Sequence, residues 1–422
     1  MKIISNLIKV RGQHSRAIIF FFLLINLLSF ISMFYSFYVS FIFFIISIIY
    51  LFLNASNLVL SLCNDSARWF LFYLIAEVLS LLNILTLSYS RKIIFIHPEL
   101  LLSGLSYILV PQILFFYLGY NLSTKPKSEQ ELIKKNLILI FGGAFFLGLF
   151  LHFNRPDFFT IFLERIFLSE VGTGYIGFYP RMTIYWNSMI VGVLGVCFFW
   201  ITIFQTGLSI MYKWLFGSIF FLGALLSAQR GAWLAFGFSS LLFFFLRFSL
   251  KRFLVIISFS LSFTLLFMLL LSYFPEFDSF GSFVDIVNRF DSFGEAFSER
   301  RSQYDNFIYI IQNYPFGVGL GLLSHKAADI GLSLTTPDGN YYRIFGELGI
   351  FGAIAFIGLI VSSVTKALNG FKQIGLIVCA IFIVQAFGTN VFDLYAAGFL
   401  FWFFLGWLNG GVKTNHLPQT IN

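Results

Sequence analysis

Thr336-Pro-Asp-Gly-Asn-Tyr-Tyr-Arg343 runs without a break into Ile344-Phe-Gly-Glu-Leu-Gly-Ile-Phe-Gly352, and the apolar run continues to about Lys366. A polar turn therefore leads straight into a segment long enough to cross a bilayer, which takes about 20 residues. Asp338, Arg343 and Glu347 stand at that border. Charged groups are costly to keep dry there, so the border reads as a site for a charged ligand. The polar stretch before it begins at Pro275 and contains Asn313-Tyr-Pro-Phe-Gly-Val-Gly-Leu-Gly321. No other long polar segment interrupts the chain.

The composition agrees. Of 422 residues, 59% are hydrophobic and only 11% charged, too little charge to keep a soluble surface of this size dispersed. Sixty-one Phe residues favour helix centres in a membrane. The formal charge of +8 is carried mostly by short links, as expected for cytoplasmic loops, and is no nucleic-acid footprint. Cys63, Cys197 and Cys379 are far apart in or beside apolar runs and read as buried thiols. The histidines lack ligand spacing, and no metal or cofactor motif is visible.

Lys2, Lys9, Arg11 and Arg16 place the N-terminus inside, before an uncleaved first helix. Ala17 to Ala55 reads as a helical hairpin turning near Met33 to Phe37. Further spans cover about Ala67 to Ser88, Leu100 to Tyr120 and Asn136 to Phe153, with a polar cytoplasmic link from Ser123 to Lys135. Asn154 to Arg181 forms an outer loop. Spans then follow at about Met182 to Phe204, Leu208 to Ala228, Gly231 to Arg247, Phe253 to Phe274, Ile344 to Lys366, Ile374 to Val391 and Ala396 to Leu408. The expected fold is all-α: a polytopic transmembrane helical bundle of about twelve spans with both termini inside. Residues 1–274 carry nine spans, 275–343 a large, partly helical outer loop, and 344–422 three spans and a tail. Arg91-Lys92 falls on the outer side in this count, against the charge rule.

Arg230, in Leu226-Ser-Ala-Gln-Arg-Gly-Ala-Trp-Leu234, is the sharpest single residue. Small neighbours let helices approach closely, and a guanidinium at a membrane border can hold a pyrophosphate through paired hydrogen bonds. A snorkelling arginine is the plainer alternative, for Arg230 and for Arg181 at the start of the sixth span. In the loop, Arg289, Arg300 and Arg301 precede Tyr304, Phe307, Ile308 and Ile311, whose spacing predicts an amphipathic helix with its apolar side on the membrane domain. Asp291, Glu295 and Glu299 are available to pair with those arginines. Pro315 to Gly321 lacks the ending of a phosphate loop and reads as a tight turn or a close backbone contact. Asp338 lies in a turn, where it can orient or deprotonate a hydroxyl, and Glu347 is the competing carboxylate. Asn390 and Asp393 read as helix caps.

In their order, these landmarks resemble the O-antigen ligase and polymerase superfamily, and more closely its Wzy-type O-antigen polymerases. The resemblance spans Arg181 with Asn187, Ser227 to Ala232, Arg289, Arg300 and Arg301, Pro315 to Gly321, Pro337 to Arg343 and Glu347 to Gly352, out to Trp407. It implies a GT-C-like, metal-independent glycosyltransferase in the inner membrane, working on undecaprenyl-pyrophosphate-linked oligosaccharides at the periplasmic face. Asp338, Arg230 and Glu347 would then be catalytic. Arg181, Arg289, Arg300, Arg301, Asn340 and Arg343 would bind substrate. A chain-length-regulating co-polymerase is an implied partner. Ligases of the superfamily place a His-Asn pair just before the Glu-Leu-Gly helix. This chain has Asp338-Gly339-Asn340 there, which leans towards polymerase. The other readings are a ligase acting on lipid A-core, a flippase that makes no bonds, and a structural partner in an assembly complex.

Overall fold

The computed structural model describes residues 13–32, 36–90, 104–154, 175–176, 179–180, 182, 188–247, 301–323, 338–369, 372–392 and 396–410. These are helical apart from turns, one 3-10 turn, one π turn and a two-residue antiparallel pairing of Tyr175-Ile176 with Tyr179-Pro180. The helices are α1 (Gln13–Ser32), α2 (Ser36–Leu53), α3 (Ala55–Leu62), α4 (Arg68–Ser90), α5 (Val110–Ser123), α6 (Lys127–Asn154) and α7 (Ser188–Phe204). They continue with α8 (Ile210–Leu226), α9 (Arg230–Arg247), α10 (Arg301–Asn313), α11 (Asn340–Asn369), α12 (Gln373–Gln385) and α13 (Ala397–Asn409).

Among the described residues two helices, Lys127–Asn154 and Asn340–Leu368, are long and apolar enough to cross a membrane by themselves. The pair Phe41–Leu53 and Ala55–Leu62 is bent by 80° at Asn54, giving a broken span or a re-entrant hairpin. Among the described residues six more helices have apolar stretches of 10–17 residues, shorter than the hydrocarbon thickness. Exposed Phe, Ile and Leu side chains on most of these helices are what a lipid-facing surface requires, so the chain reads as a helical membrane protein.

The polar link expected from Ser123 to Lys135 is shorter than that. Helix α6 begins at Lys127, and its first turns are held by the Lys134–Glu131 ion pair and by Ser15, which donates to Glu129. Charged residues with good helical propensity simply extend the span into the aqueous side. Cys197 and Cys379 are buried as expected, whereas Cys63 is exposed in the turn after α3.

The core is built on aromatic rings. Phe115 stacks on Phe399 at 4.8 Å and Phe43 on Phe399 at 5.2 Å, while Phe22 meets Phe403 edge-on at 5.3 Å. The tightest crossing is that of α5 and α13. A Cβ on Gly119 would strike the carbonyl of Phe403, and one on Gly406 would strike that of Phe116. Backbone-to-backbone approach of this kind is how membrane helices gain packing when apolar burial alone gives no preference for protein over lipid.

Candidate functional site

The site grows from the turn between α8 and α9. Ser227 caps α8, and Ala228 adopts φ 50°, a left-handed conformation that a residue with a Cβ rarely takes. Gln229 then donates to Ser188 Oγ at 2.5 Å, fastening the turn to the start of α7. Gly192 of α7 faces the turn so closely that a Cβ there would lie 2.8 Å from both Ser227 Oγ and Ala232 Cβ. Met182, the residue after Arg181, donates its amide to Leu226 O at 3.1 Å. Arg230 is thereby placed, half-buried, at the first position of α9. Amide groups and dipole both favour an anion at such a helix end.

Helix α9 packs along α12, and the end of α12 meets the Asp338 turn. Gly231 lies against the side chain of Gln385, the last residue of α12. The next residue, Ala386, accepts a hydrogen bond from Asn340 N at 2.9 Å, and Thr389 O lies 3.3 Å from the same amide. Asn340 Oδ1 in turn accepts from Phe392 N at 2.8 Å. Gly339, at φ 115°, lets the turn press on this segment: a Cβ there would lie 2.8 Å from Phe387 O. The end of α12 thus brings the entry of α9, with Arg230, to the turn carrying half-buried Asp338 and buried Asn340.

Farther along α11, Arg343 and Glu347 form a buried pair one turn apart, with Nε donating to Oε1 at 3.1 Å. The same Oε1 accepts Leu323 N at 3.0 Å. The backbone carbonyl of Glu347 accepts from Ser80 Oγ at 2.7 Å and from Gly319 N at 3.2 Å. It is free to do so because α11 is kinked at Gly349, where φ is 66° and ψ −164°. The glycine-rich turn fills the kink. Val318 N donates to Gly346 O at 2.9 Å and Ile350 N to Pro315 O at 3.0 Å, and a Cβ on Gly317 would collide with Glu347 O. The reading of Pro315 to Gly321 as a close backbone contact therefore holds.

Helix α10 is present, with a different buried face from the one its spacing predicts. Ile310 packs on Val318 and Leu323, and Phe307 meets Tyr342 edge-on at 4.8 Å. Ile308, Tyr309 and Ile311 are exposed. Arg181, Arg289 and Arg300 lie outside the described residues, as do the side chain of Arg301 and Asp393. The residue that sequence reasoning passed over is Gln385, a lone amide in an apolar run. Among the described residues, no group of three or more His, Cys, Asp or Glu side chains is arranged to hold a metal ion.

A family model described as O-Antigen ligase matches residues 215–357. The match runs from α8 through the first half of α11 and contains Arg230, Asp338, Asn340, Arg343 and Glu347. It is narrower than the Arg181-to-Trp407 resemblance and stops short of Gln385. It supports the O-antigen ligase/polymerase superfamily, whose members transfer glycosyl groups, and bears equally on the ligase and the polymerase. No curated protein matches the chain.

Proposed function

We propose that the chain is an O-antigen polymerase that joins undecaprenyl-pyrophosphate-linked oligosaccharide repeats at the periplasmic face of the inner membrane. About twelve spans would put both termini inside and the 275–343 loop outside. The observation that carries this reading is that the end of α12 touches both Gly231, next to Arg230, and the Asp338–Asn340 turn. A cation and a carboxylate on two elements that both border the end of α12 suit a sugar transfer with a pyrophosphate leaving group.

In the step, a hydroxyl oxygen of the incoming repeat bonds to the anomeric carbon at the reducing end of the growing chain. The bond from that carbon to the lipid pyrophosphate breaks, and its electron pair stays on the pyrophosphate oxygen. The hydroxyl proton passes to Asp338 or to solvent beside it. Arg230 stabilises the charge that develops on the departing group, and such fixed charge accounts for much of the rate in this kind of site. Arg181, Arg289, Arg300 and Arg301 are proposed as further cations for the two lipid-linked substrates. Arg343 and Glu347 act by locking the glycine-rich turn into the kink beside the site.

The ligase is the second reading, on which the family match bears equally. The Asp338-Gly339-Asn340 sequence, where ligases of the superfamily carry His-Asn, favours the polymerase. The test is chain growth in cells expressing Arg230→Ala or Asp338→Asn at normal protein levels. A loss of polymer of about a hundredfold or more is expected from removing Arg230, the scale set by losing one charge-stabilising group. Retained polymer in both variants contradicts the assignment.

A further inference from the structure

Gln385 is 1% exposed, and among the described residues neither its amide nitrogen nor its side-chain oxygen has a hydrogen-bonding partner. Its backbone carbonyl is used, accepting from Thr389 Oγ1 at 3.0 Å and Gly388 N at 3.1 Å. Gln229 and Asn340 each have a partner, Gln229 donating to Ser188 and Asn340 accepting from Phe392 N, while Asn390, among the described residues, lacks one for its side-chain oxygen alone. Native proteins rarely bury a whole carboxamide with both ends unmet, because each unmet group forfeits its hydration.

The orphan amide stands where the two halves of the site meet. It lies broadside to Gly231: a Cβ there would be 3.2 Å from Nε2, 3.3 Å from Cδ and 3.7 Å from Oε1. Gly231 follows Arg230, and Ala386, next to Gln385, receives the amide of Asn340. We propose that Gln385 binds a saccharide hydroxyl of the lipid-linked substrate, next to the pyrophosphate that Arg230 holds. This rests on the reading of the site as one that handles a lipid-linked saccharide.

The chemistry of the amide selects the sugar over the phosphate. A carboxamide offers two N–H donors and one acceptor oxygen. A phosphate group only accepts, so it would answer the nitrogen and leave Oε1 unmet. Hydroxyls both donate and accept, and two neighbouring hydroxyls on a sugar ring can answer both ends of the amide. Arg230 at the start of α9 already supplies the donors that an anion needs. A polar group buried for this purpose also discriminates strongly, since a ligand lacking the hydroxyl leaves it orphaned.

The test measures binding to the full-length protein in detergent. The two probes are undecaprenyl pyrophosphate alone and the undecaprenyl-pyrophosphate-linked repeat extracted from cells. The wild type is expected to bind the saccharide-bearing lipid more tightly. Gln385→Met should lose about tenfold in affinity for that lipid, the value of one or two neutral hydrogen bonds. It should bind bare undecaprenyl pyrophosphate as the wild type does, and its unliganded Tm should stay level or rise. Gln385→Leu is read on the same terms in case the methionine variant fails to accumulate. Unchanged affinity of both variants for the saccharide-bearing lipid overturns the proposal. So does an equal loss for both lipids, or a wild type that does not distinguish them. Because binding is read and not chain growth, a failure of the polymerase assignment remains separate from a failure here.

Discussion

Two of the glycine-dependent helix crossings among the described residues leave different things behind. Where α5 crosses α13, Gly119 and Gly406 bring backbone onto backbone among stacked rings such as Phe70 on Phe116, and the contact is apolar. Where α9 crosses α12, Gly231 faces the carboxamide of Gln385, and a left-handed Ala228 and the Asp338 turn lie nearby. The first crossing uses small residues to pack the bundle. The second lies against a carboxamide, that of Gln385, with no hydrogen-bonding partner among the described residues. Tolerance of the same substitution should therefore separate scaffold from site.

Gly406→Ala should have the largest effect on folding. The new methyl meets the Phe116 carbonyl, which belongs to a helix and cannot swing away. A cost of about 3 kcal/mol is expected, at the upper end for overpacking, and should appear as lost accumulation in membranes and a lower Tm. Gly231→Ala is the matched change at the second crossing. Its methyl approaches the end of a flexible side chain at 3.2 Å, so a stability change of under about 1 kcal/mol is expected. Chain growth should nevertheless fall by about tenfold, as expected for a displaced contact group. Equal loss of protein in the two variants would erase the distinction.

The smallest effect concerns Lys372, between α11 and α12. It donates to the carbonyls of Trp407 at 2.7 Å and Gly410 at 2.9 Å, closing the end of α13. Burial, with a smaller contribution from Lys366, pushes its pKa down from the usual lysine value to about 8. A lysine with a depressed folded pKa penalises the folded state while it is charged. That penalty is full below pH 8 and is relieved as pH rises from 8 towards the unfolded value. Between pH 7.5 and 9.5 the wild-type Tm should therefore gain about 1–2 °C relative to Lys372→Met. A flat difference between the two would mean that the carbonyls offset the burial.

Many helices were legible because apolar runs alternate with polar links, although among the described residues only two are long and apolar enough to cross a membrane alone. Helices stand close to where the sequence puts them in the 17–55 run, as α1 and α2, and in the run from Ile344, as α11, while the expected turn near Met33 to Phe37 lies partly outside the described residues. Sequence reading assigns Arg343 to substrate and Glu347 to catalysis and does not pair them, although their four-residue spacing allows the pair. The buried face of α10 was not legible. Its anchor, Ile310, is chosen by Val318 and Leu323, which the glycine-rich turn folds back onto it. Nor could Gln385 be found, since its interest lies in the absence of a partner, a property of the packed helices alone.

The most direct test of the polymerase assignment is a lipopolysaccharide gel of a strain lacking this chain, with its lipid-linked intermediates resolved alongside. Lipid A-core bearing a single repeat, with no ladder above it, is the predicted result. Bare core with long chains stranded on undecaprenyl pyrophosphate would contradict it and make the chain a ligase. Bare core with only single lipid-linked repeats, held at the inner face, would make it a flippase and remove bond formation from the site altogether.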